Sequence, residues 1–293
     1  MFKGSIVAIV TPFKEGRVDE KKLKQLVEFH IKNGTSGIVP CGTTGESPTL
    51  STAEHERVIE ICIDAANKRI PIIAGTGSNS TAEAVALTEH AEKAGADAAL
   101  IVGPYYNKPS QRGMYLHFKT IADSVDIPIV LYNIAGRTGK NIEPETIAKL
   151  AHDCKNIVGV KEASGSLEQM QLIKLLCPKE FLLISGDDAL TLPILSVGGV
   201  GVISVLANIL PRETAEVVAL FEKGDLEKAR KLHYKLLPLI KAIFLDTNPI
   251  PIKTAMGMLG MCAPDLRLPL CPMSDENVSR LKAALKDYGL LKK

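Results

Sequence analysis

Ile157-Val158-Gly159-Val160-Lys161 is the stretch on which the reading of this chain turns. Four small or apolar residues in succession suit a strand buried on both faces, and this one ends on a primary amine. A lysine held where water is scarce gives up its proton more easily, and the neutral amine can attack a ketone to form a Schiff base. The alternative is a strand-end lysine whose stem packs while its ammonium reaches solvent. What the neighbouring strands deliver to the same place decides between the two.

Seven further runs of this kind occur, at Ser5 to Val10, Gly37 to Cys41, Ile70 to Ala74, Ala98 to Val102, Pro128 to Tyr132, Phe181 to Ser185 and Gly199 to Ser204. Amphipathic helical stretches alternate with them. In the first, from Asp19 to Lys32, Leu23, Leu26, Val27 and Ile31 share one face, and Gly34 supplies a stop. Ser51 with Glu54, and Ser80 with Glu83, have the spacing of a capping box. Eight near-continuous apolar strands with intervening helices and no hairpin signals require crossovers, hence parallel pairing. The expected architecture is an α/β (β/α)8 TIM barrel. An open doubly wound sheet is the rival, but Gly75 and Gly77 lack the third glycine of its phosphate-binding turn. The eighth unit's helix is expected to start near Pro211 and end before Gly224. Only helical patterning follows, over 225–245, 250–259 and 274–288, which divides the chain into a barrel at 1–224 carrying the active site and a helical domain at 225–293.

The bulk properties narrow the class of partner. With 46% apolar and 23% charged residues among 293, the composition is that of a compact soluble globule, and no apolar run approaches membrane-spanning length. Lys plus Arg (35) nearly balances Asp plus Glu (33), and the basic residues are dispersed, so neither nucleic acid nor a membrane surface is expected to bind. Small molecules are expected instead. Met1 to Thr11 has no signal-peptide pattern, and a cytoplasmic location is expected. Cys41, Cys62, Cys154, Cys177, Cys262 and Cys271 form no Cys-x-x-Cys pair and read as reduced, mostly buried thiols.

In such a barrel, chemistry gathers where the strands end and the βα loops begin. The second strand runs into Gly42-Thr43-Thr44-Gly45-Glu46, and the fourth into Gly103-Pro104-Tyr105-Tyr106-Asn107. Tyr132 and Asn133 end the fifth with Arg137 four residues on, Lys161 and Glu162 end the sixth, Ser185-Gly186-Asp187 ends the seventh, and the eighth ends near Ile203. Glycines flanking two threonines allow close backbone approach to a carboxylate, or make merely a loop before a helix. Tyr132 either shuttles protons beside an imine or packs as a core tyrosine. Arg137 has the planar fork that clamps a carboxylate, although exposed loop arginines are common. The histidines His30, His55, His90, His117, His152 and His233 fall on helices with no i, i+4 pair, so no metal site is expected. Neither a Gly-x-Ser-x-Gly elbow nor a Walker loop is present.

Taken in order, these motifs resemble the dihydrodipicolinate synthase branch of the pyruvate-dependent class I aldolase superfamily, from the first strand through Asn248-Pro249-Ile250-Pro251-Ile252-Lys253. The paired threonines and Arg137-Thr138-Gly139 set the chain apart from the sialic-acid lyase and keto-deoxy-sugar aldolase branches. The resemblance implies condensation of pyruvate with L-aspartate 4-semialdehyde through a Lys161 Schiff base, without a further cofactor, giving 4-hydroxy-tetrahydrodipicolinate for lysine and diaminopimelate synthesis. It implies a proton relay of Tyr132, Thr43 and Tyr106, the last from a neighbouring subunit. Thr43 and Thr44 would bind the pyruvate carboxylate and Arg137 that of the semialdehyde, with Gly186 and Ile203 giving backbone contacts near the imine. A homotetrameric dimer of dimers follows from the same likeness, as does an L-lysine effector site at Ser47, Pro48, His55, Asn79, Glu83 and Tyr105. Two positions depart from the pattern: Ala135 stands where relatives usually have proline, and Thr52 where some inhibited relatives have a second histidine. The competing functions are a sister lyase acting on a sugar-derived aldehyde and a pyruvate sensor without turnover.

Overall fold

The structure, a computed structural model, describes residues 2–292. Its eight main strands are β1 (Gly4–Ala8), β2 (Gly37–Val39), β3 (Ile73–Gly75), β4 (Ala98–Val102), β5 (Ile129–Asn133), β6 (Ile157–Glu162), β7 (Leu182–Ser185) and β8 (Gly201–Ser204). They form one sheet in the order β2-β1-β8-β7-β6-β5-β4-β3, with every pairing parallel. A parallel bridge between Ile38 and Ile72 joins the two edges and closes the barrel. The third strand starts at Ile73, later than the sequence suggests, because Pro71 has no N–H to give to a ladder.

Side chains divide by parity along each strand. Leu100 of β4 and Val130 and Tyr132 of β5 join Ile6, Ile184 and Ile203 in one cluster that fills the barrel. Ile101, Leu131, Val160 and Leu183 point the other way and pack with Met114, Phe118, Ile147 and Ile173 of the surrounding helices. One irregularity matters for the chemistry. Ile129 pairs with Ile157 but Val130 pairs with Gly159, so Val158 is skipped, and the register then continues as Leu131 with Val160 and Tyr132 with Lys161. A one-residue slip exchanges the faces of every later side chain. Without this bulge Lys161 would share the parity of Ile157 and face the helices. With it, the lysine joins Tyr132 inside.

The outer layer is α1 (Glu20–Lys32), α2 (Thr52–Ala66), α3 (Thr81–Ala94), α4 (Gln111–Ala122), α5 (Pro144–Asp153), α6 (Leu167–Leu176), α7 (Thr191–Ser196) and α8 (Pro211–Glu222). Three helices follow, α9 (Leu226–Ala242), α10 (Ile250–Met258) and α11 (Asp275–Tyr288). Leu236, Leu239, Ile252 and Leu281 of these three pack in one core with Ile9, Val10, Ile38 and Ile59, so the C-terminal helices are built onto the β1–β2 side of the barrel. Among the described residues no helix is long and apolar enough to cross a membrane.

Two local expectations are corrected. A hairpin does exist, pairing Phe13–Lys14 with Arg17–Val18 around Glu15 and Gly16, both at positive φ; two residues per strand leave no period-2 pattern to read. The Ser51–Glu54 capping box is complete, but the second is only half formed. Ser80 accepts from the Glu83 N–H, whereas the Glu83 carboxylate takes the hydroxyl of Ser78, which itself accepts from the Ser80 N–H. Ser78 supplies the second half of the cap and turns Glu83 aside. Gly75 has a packing role: a Cβ there would lie 2.5 Å from the Cys41 carbonyl oxygen, so it is the close approach of β2 and β3 that requires a glycine.

Candidate active site

Lys161 is 7% exposed at the inner end of β6, with Nζ 4.1 Å from the centroid of the Tyr132 ring. Among the described residues no carboxylate lies within 4.0 Å of that amine. Burial brings its pKa down to about 7, with the nearby Asp188 carboxylate opposing and the Arg137 guanidinium assisting. Asp188 is itself buried, accepting from the Ser204 hydroxyl, the Val205 N–H at 2.9 Å and the Leu206 N–H at 3.3 Å. Burial raises its pKa, against the pull of those three donors. Tyr132 is pushed up to about 12 by burial, and the positive charge of Arg137 and a hydrogen bond with Thr43 only partly offset that. Near neutral pH the site therefore pairs an amine poised to lose its proton with a phenol that keeps its own.

Lys161 and Tyr132 are held at this spacing by the residues that follow each of them. Asn133 donates through Nδ2 to both carboxylate oxygens of Glu162, at 3.2 and 3.1 Å, and to Asn141 Oδ1 at 2.8 Å. Gln169 of α6 donates to Glu162 at 2.9 Å, and the Ser164 N–H donates to it at 2.7 Å. The Glu162 and Asn133 side chains are fully buried and their partners converge from two strands, a helix and a loop, which makes a rigid base under the amine. Gly186 lies against the lysine stem: a Cβ there would come within 3.1 Å of both Cγ and Cε of Lys161. Its N–H donates to the Glu162 carbonyl at 2.8 Å. Ile203, paired with Ile6, is buried in the barrel cluster with Tyr132.

The β2 loop is anchored by residues far away in sequence. Thr44 is buried and its hydroxyl accepts from Asn248 Nδ2 at 3.0 Å, while Arg137 Nη2 donates to the Asn248 carbonyl at 3.1 Å. Two residues after Thr44, Glu46 has left-handed backbone and accepts from Lys253 Nζ at 2.6 Å in an ion pair with no exposed side-chain surface. Nothing near Gly42 to Glu46 signals these partners, which lie 204 and 207 residues downstream. Asn248 and Lys253 belong to the motif run noted above, but no local pattern gives either residue a role. Nor does any local pattern give Asp188 a role, since its partners Ser204, Val205 and Leu206 lie on another strand and its loop.

A cavity of about 400 Å3 opens here, and Thr43, Tyr132 and Arg137 line it together with Ser47, Pro48, His55, Glu83 and Tyr105. Thr43, Tyr132 and Arg137 thus share one continuous hollow with Ser47, Pro48, His55, Glu83 and Tyr105 of the expected effector set, whereas Lys161, Thr44, Gly186 and Ile203 are not among its lining residues. Thr52, in place of a second histidine, also lines it. Asn79 stands behind its wall, donating to the Tyr105 carbonyl at 3.1 Å, and His55 donates through Nε2 to the Gly75 carbonyl at 2.8 Å. Tyr106 is not brought in. It is 89% exposed on left-handed backbone, pointing away from its own chain. Ala135 begins a four-residue helical turn, Ala135–Thr138, which carries Arg137. Among the described residues no group of three or more His, Cys, Asp or Glu side chains is placed to hold a metal ion. All six cysteines are free, and only Cys271 is exposed.

Comparison with known proteins gives a consistent result. The model of the Dihydrodipicolinate synthetase (DHDPS) family matches residues 1–288. A 4-hydroxy-tetrahydrodipicolinate synthase from Endomicrobium trichonymphae is 62% identical over 292 residues, covering 100% of both chains. The crystal structure of dihydrodipicolinate synthase from Aquifex aeolicus superposes with a TM-score of 0.98 at 54% identity, covering 100% of each chain. A DHDPS from Cyanidioschyzon merolae, solved with lysine bound, superposes at 0.97 with 43% identity, covering 99% of each chain.

Proposed function

This chain belongs to the dihydrodipicolinate synthetase family, and from that membership we propose how its own residues carry out the reaction. The activity is condensation of pyruvate with L-aspartate 4-semialdehyde to 4-hydroxy-tetrahydrodipicolinate, a class I aldolase-type lyase step of lysine and diaminopimelate biosynthesis. The single observation that carries the assignment of roles is the buried, unpaired Lys161 amine, with a pKa brought down to about 7, beside a phenol that stays protonated.

The neutral amine of Lys161 attacks the pyruvate ketone, a C–N bond forms and the ketone oxygen leaves as water. Tyr132 donates the proton which that oxygen needs and recovers one from the amine. The imine then draws electrons from the adjacent C–H bonds, the methyl group loses a proton, and the resulting enamine carbon attacks the aldehyde carbon of the semialdehyde. The semialdehyde's own amine finally displaces Lys161 and closes the ring. No cofactor beyond this covalent link takes part. Thr44 and Thr43 receive the pyruvate carboxylate and Arg137 that of the semialdehyde, the assignment favoured by a guanidinium lining the cavity that holds Tyr132. Gly186 leaves room for the imine, and the backbone at Ile203 contacts it.

Tyr106 completes the relay from a second copy of the chain in a dimer, itself paired into a tetramer; its near-total exposure on strained backbone supports an intersubunit role. L-Lysine binds the outer part of the hollow at Ser47, His55, Asn79, Glu83 and Tyr105, with the lysine-bound Cyanidioschyzon merolae structure as support. A boundary at Gly224 between a catalytic barrel and a helical domain is part of the same reading, as is a cytoplasmic location, which suits six unpaired cysteines.

Borohydride reduction in the presence of pyruvate tests the central step. The expected result is a covalent pyruvyl adduct on Lys161, with semialdehyde-dependent turnover in the untreated enzyme. An adduct that persists in Lys161→Ala, or trapping without semialdehyde condensation, overturns the reading.

A further inference from the structure

Asn248 is 6% exposed, lies two residues before the start of α10, and touches both groups assigned to the two substrate carboxylates. Its side-chain Nδ2 donates to the Thr44 hydroxyl at 3.0 Å, and its carbonyl accepts from Arg137 Nη2 at 3.1 Å. The same segment is pinned to the same loop five residues further on, inside α10, where Lys253 Nζ donates to Glu46 and, at 2.9 Å, to the Thr11 carbonyl. Asn248 Oδ1 is buried with no partner. An unmade acceptor costs free energy, so this amide is not placed for stability alone.

A threonine hydroxyl has one proton to give. When Asn248 Nδ2 fills one of its acceptor positions, the Thr44 proton is left free to be donated elsewhere. We propose that Asn248 is a positioning residue for pyruvate: its amide orients the Thr44 hydroxyl as a donor to the substrate carboxylate, while its backbone carbonyl sets the Arg137 fork. The inference rests on the pyruvate reading given above. Asn248 itself touches neither substrate. Its effect is transmitted through Thr44, and it is therefore visible as coupling between the two positions rather than as a loss of chemistry.

The experiment is a double-mutant cycle between Asn248→Ala and Thr44→Val, read as the pyruvate concentration that half-saturates borohydride trapping, without semialdehyde present. One hydrogen bond to a buried group corresponds to roughly five- to tenfold. Asn248→Ala is expected to raise that concentration by about this factor in the native background, and by less than about twofold when Thr44 is already valine. The fully trapped yield at saturating pyruvate stays that of the native chain, which separates binding from the nucleophile. An equal rise in both backgrounds, or no rise in either, overturns the inference. If the alanine variant does not fold, the isosteric Asn248→Asp stands in. It turns the donor into an acceptor and draws the Thr44 proton to itself, so half-saturation rises in the native background and the rise shrinks in Thr44→Val; an undiminished rise counts against the role. A native chain that traps no pyruvate overturns the functional reading, and this inference with it. Native trapping with unshifted Asn248 variants overturns this inference alone.

Discussion

Among the described residues two lysines are buried, and they do opposite things. Lys253 has no exposed surface, yet its ammonium sits 2.6 Å from Glu46, donates to the Thr11 carbonyl at 2.9 Å, and lies 4.2 Å above the Phe13 ring. Lys161 is nearly as buried and lies over an aromatic ring at almost the same height, but no carboxylate is within reach of an ion pair. Burial lowers the pKa of both. For Lys253 the charge and hydrogen bond of Glu46 pull back upwards; for Lys161 only the more distant Asp188 does, against Arg137. Partnership, and not depth, separates a strut from a nucleophile. Replacing each lysine by methionine, which keeps most of the volume, tests the contrast.

Lys161→Met gives the largest effect. Turnover is expected to fall by at least about 10³-fold, and borohydride with pyruvate to leave no adduct, because the bond-forming atom is gone. Stability moves the other way: an unpaired amine leaves an apolar site, so the denaturant midpoint should rise. Lower stability would show that Lys161 is also a structural residue and erase half of the contrast. Lys253→Met reverses the pattern. It strands the Glu46 carboxylate in the interior, and the expected loss is about 3–5 kcal/mol by denaturant unfolding. Adding Glu46→Gln to the same chain removes the stranded charge and should restore much of that loss. A single Lys253 variant as stable as the native chain would mean that water reaches Glu46.

The sequence announces one of these lysines and hides the other. Lys161 ends an unbroken apolar run, and repetition of such runs tells of eight parallel strands with their ends on a common rim; these are local periodicities. Tyr132, Arg137 and Thr43 become legible only because that rim gathers them. Hidden are the things that depend on register and on distance along the chain. The bulge at Val158, which turns Lys161 inward, leaves no mark in a run that is apolar on both faces. Lys253 lies in a helix that reads as appendage, and its partner is 207 residues away. Glu83 shows the smaller version of this difficulty: its spacing from Ser80 fits a capping box, but Ser78, five residues before it, is the nearer hydroxyl. Tyr106 cannot be placed from one chain, because its own chain gives it nothing to touch.

The gentlest test of the contrast uses pH alone. Lys161 must be neutral to attack, and with a pKa near 7 its reactive fraction falls tenfold for each unit below that value. kcat/KM for pyruvate should therefore climb with unit slope up to pH 7 and level off above it, since that ratio reports the free enzyme. Tyr132, held up near 12, stays protonated throughout and adds no second break below pH 10. Stability follows from the same titration. The unfolded chain keeps the lysine's proton up to its ordinary pKa of 10.5, whereas the folded chain has released it by about 7, so between those values the unfolded state holds more protons and stability rises with pH. The cost of burying the amine is complete below 7 and gone above 10.5. Lys161→Met should remove the part of that rise that begins near pH 7, whereas Lys253, also lowered by burial but pulled back by Glu46, contributes in the same direction and leaves a residual slope. A native profile whose activity break lies near 10, or a stability slope between 7 and 10.5 that is the same in Lys161→Met as in the native chain, would mean that water or an anion reaches the Lys161 amine, and the two lysines would then differ only in which partner they have.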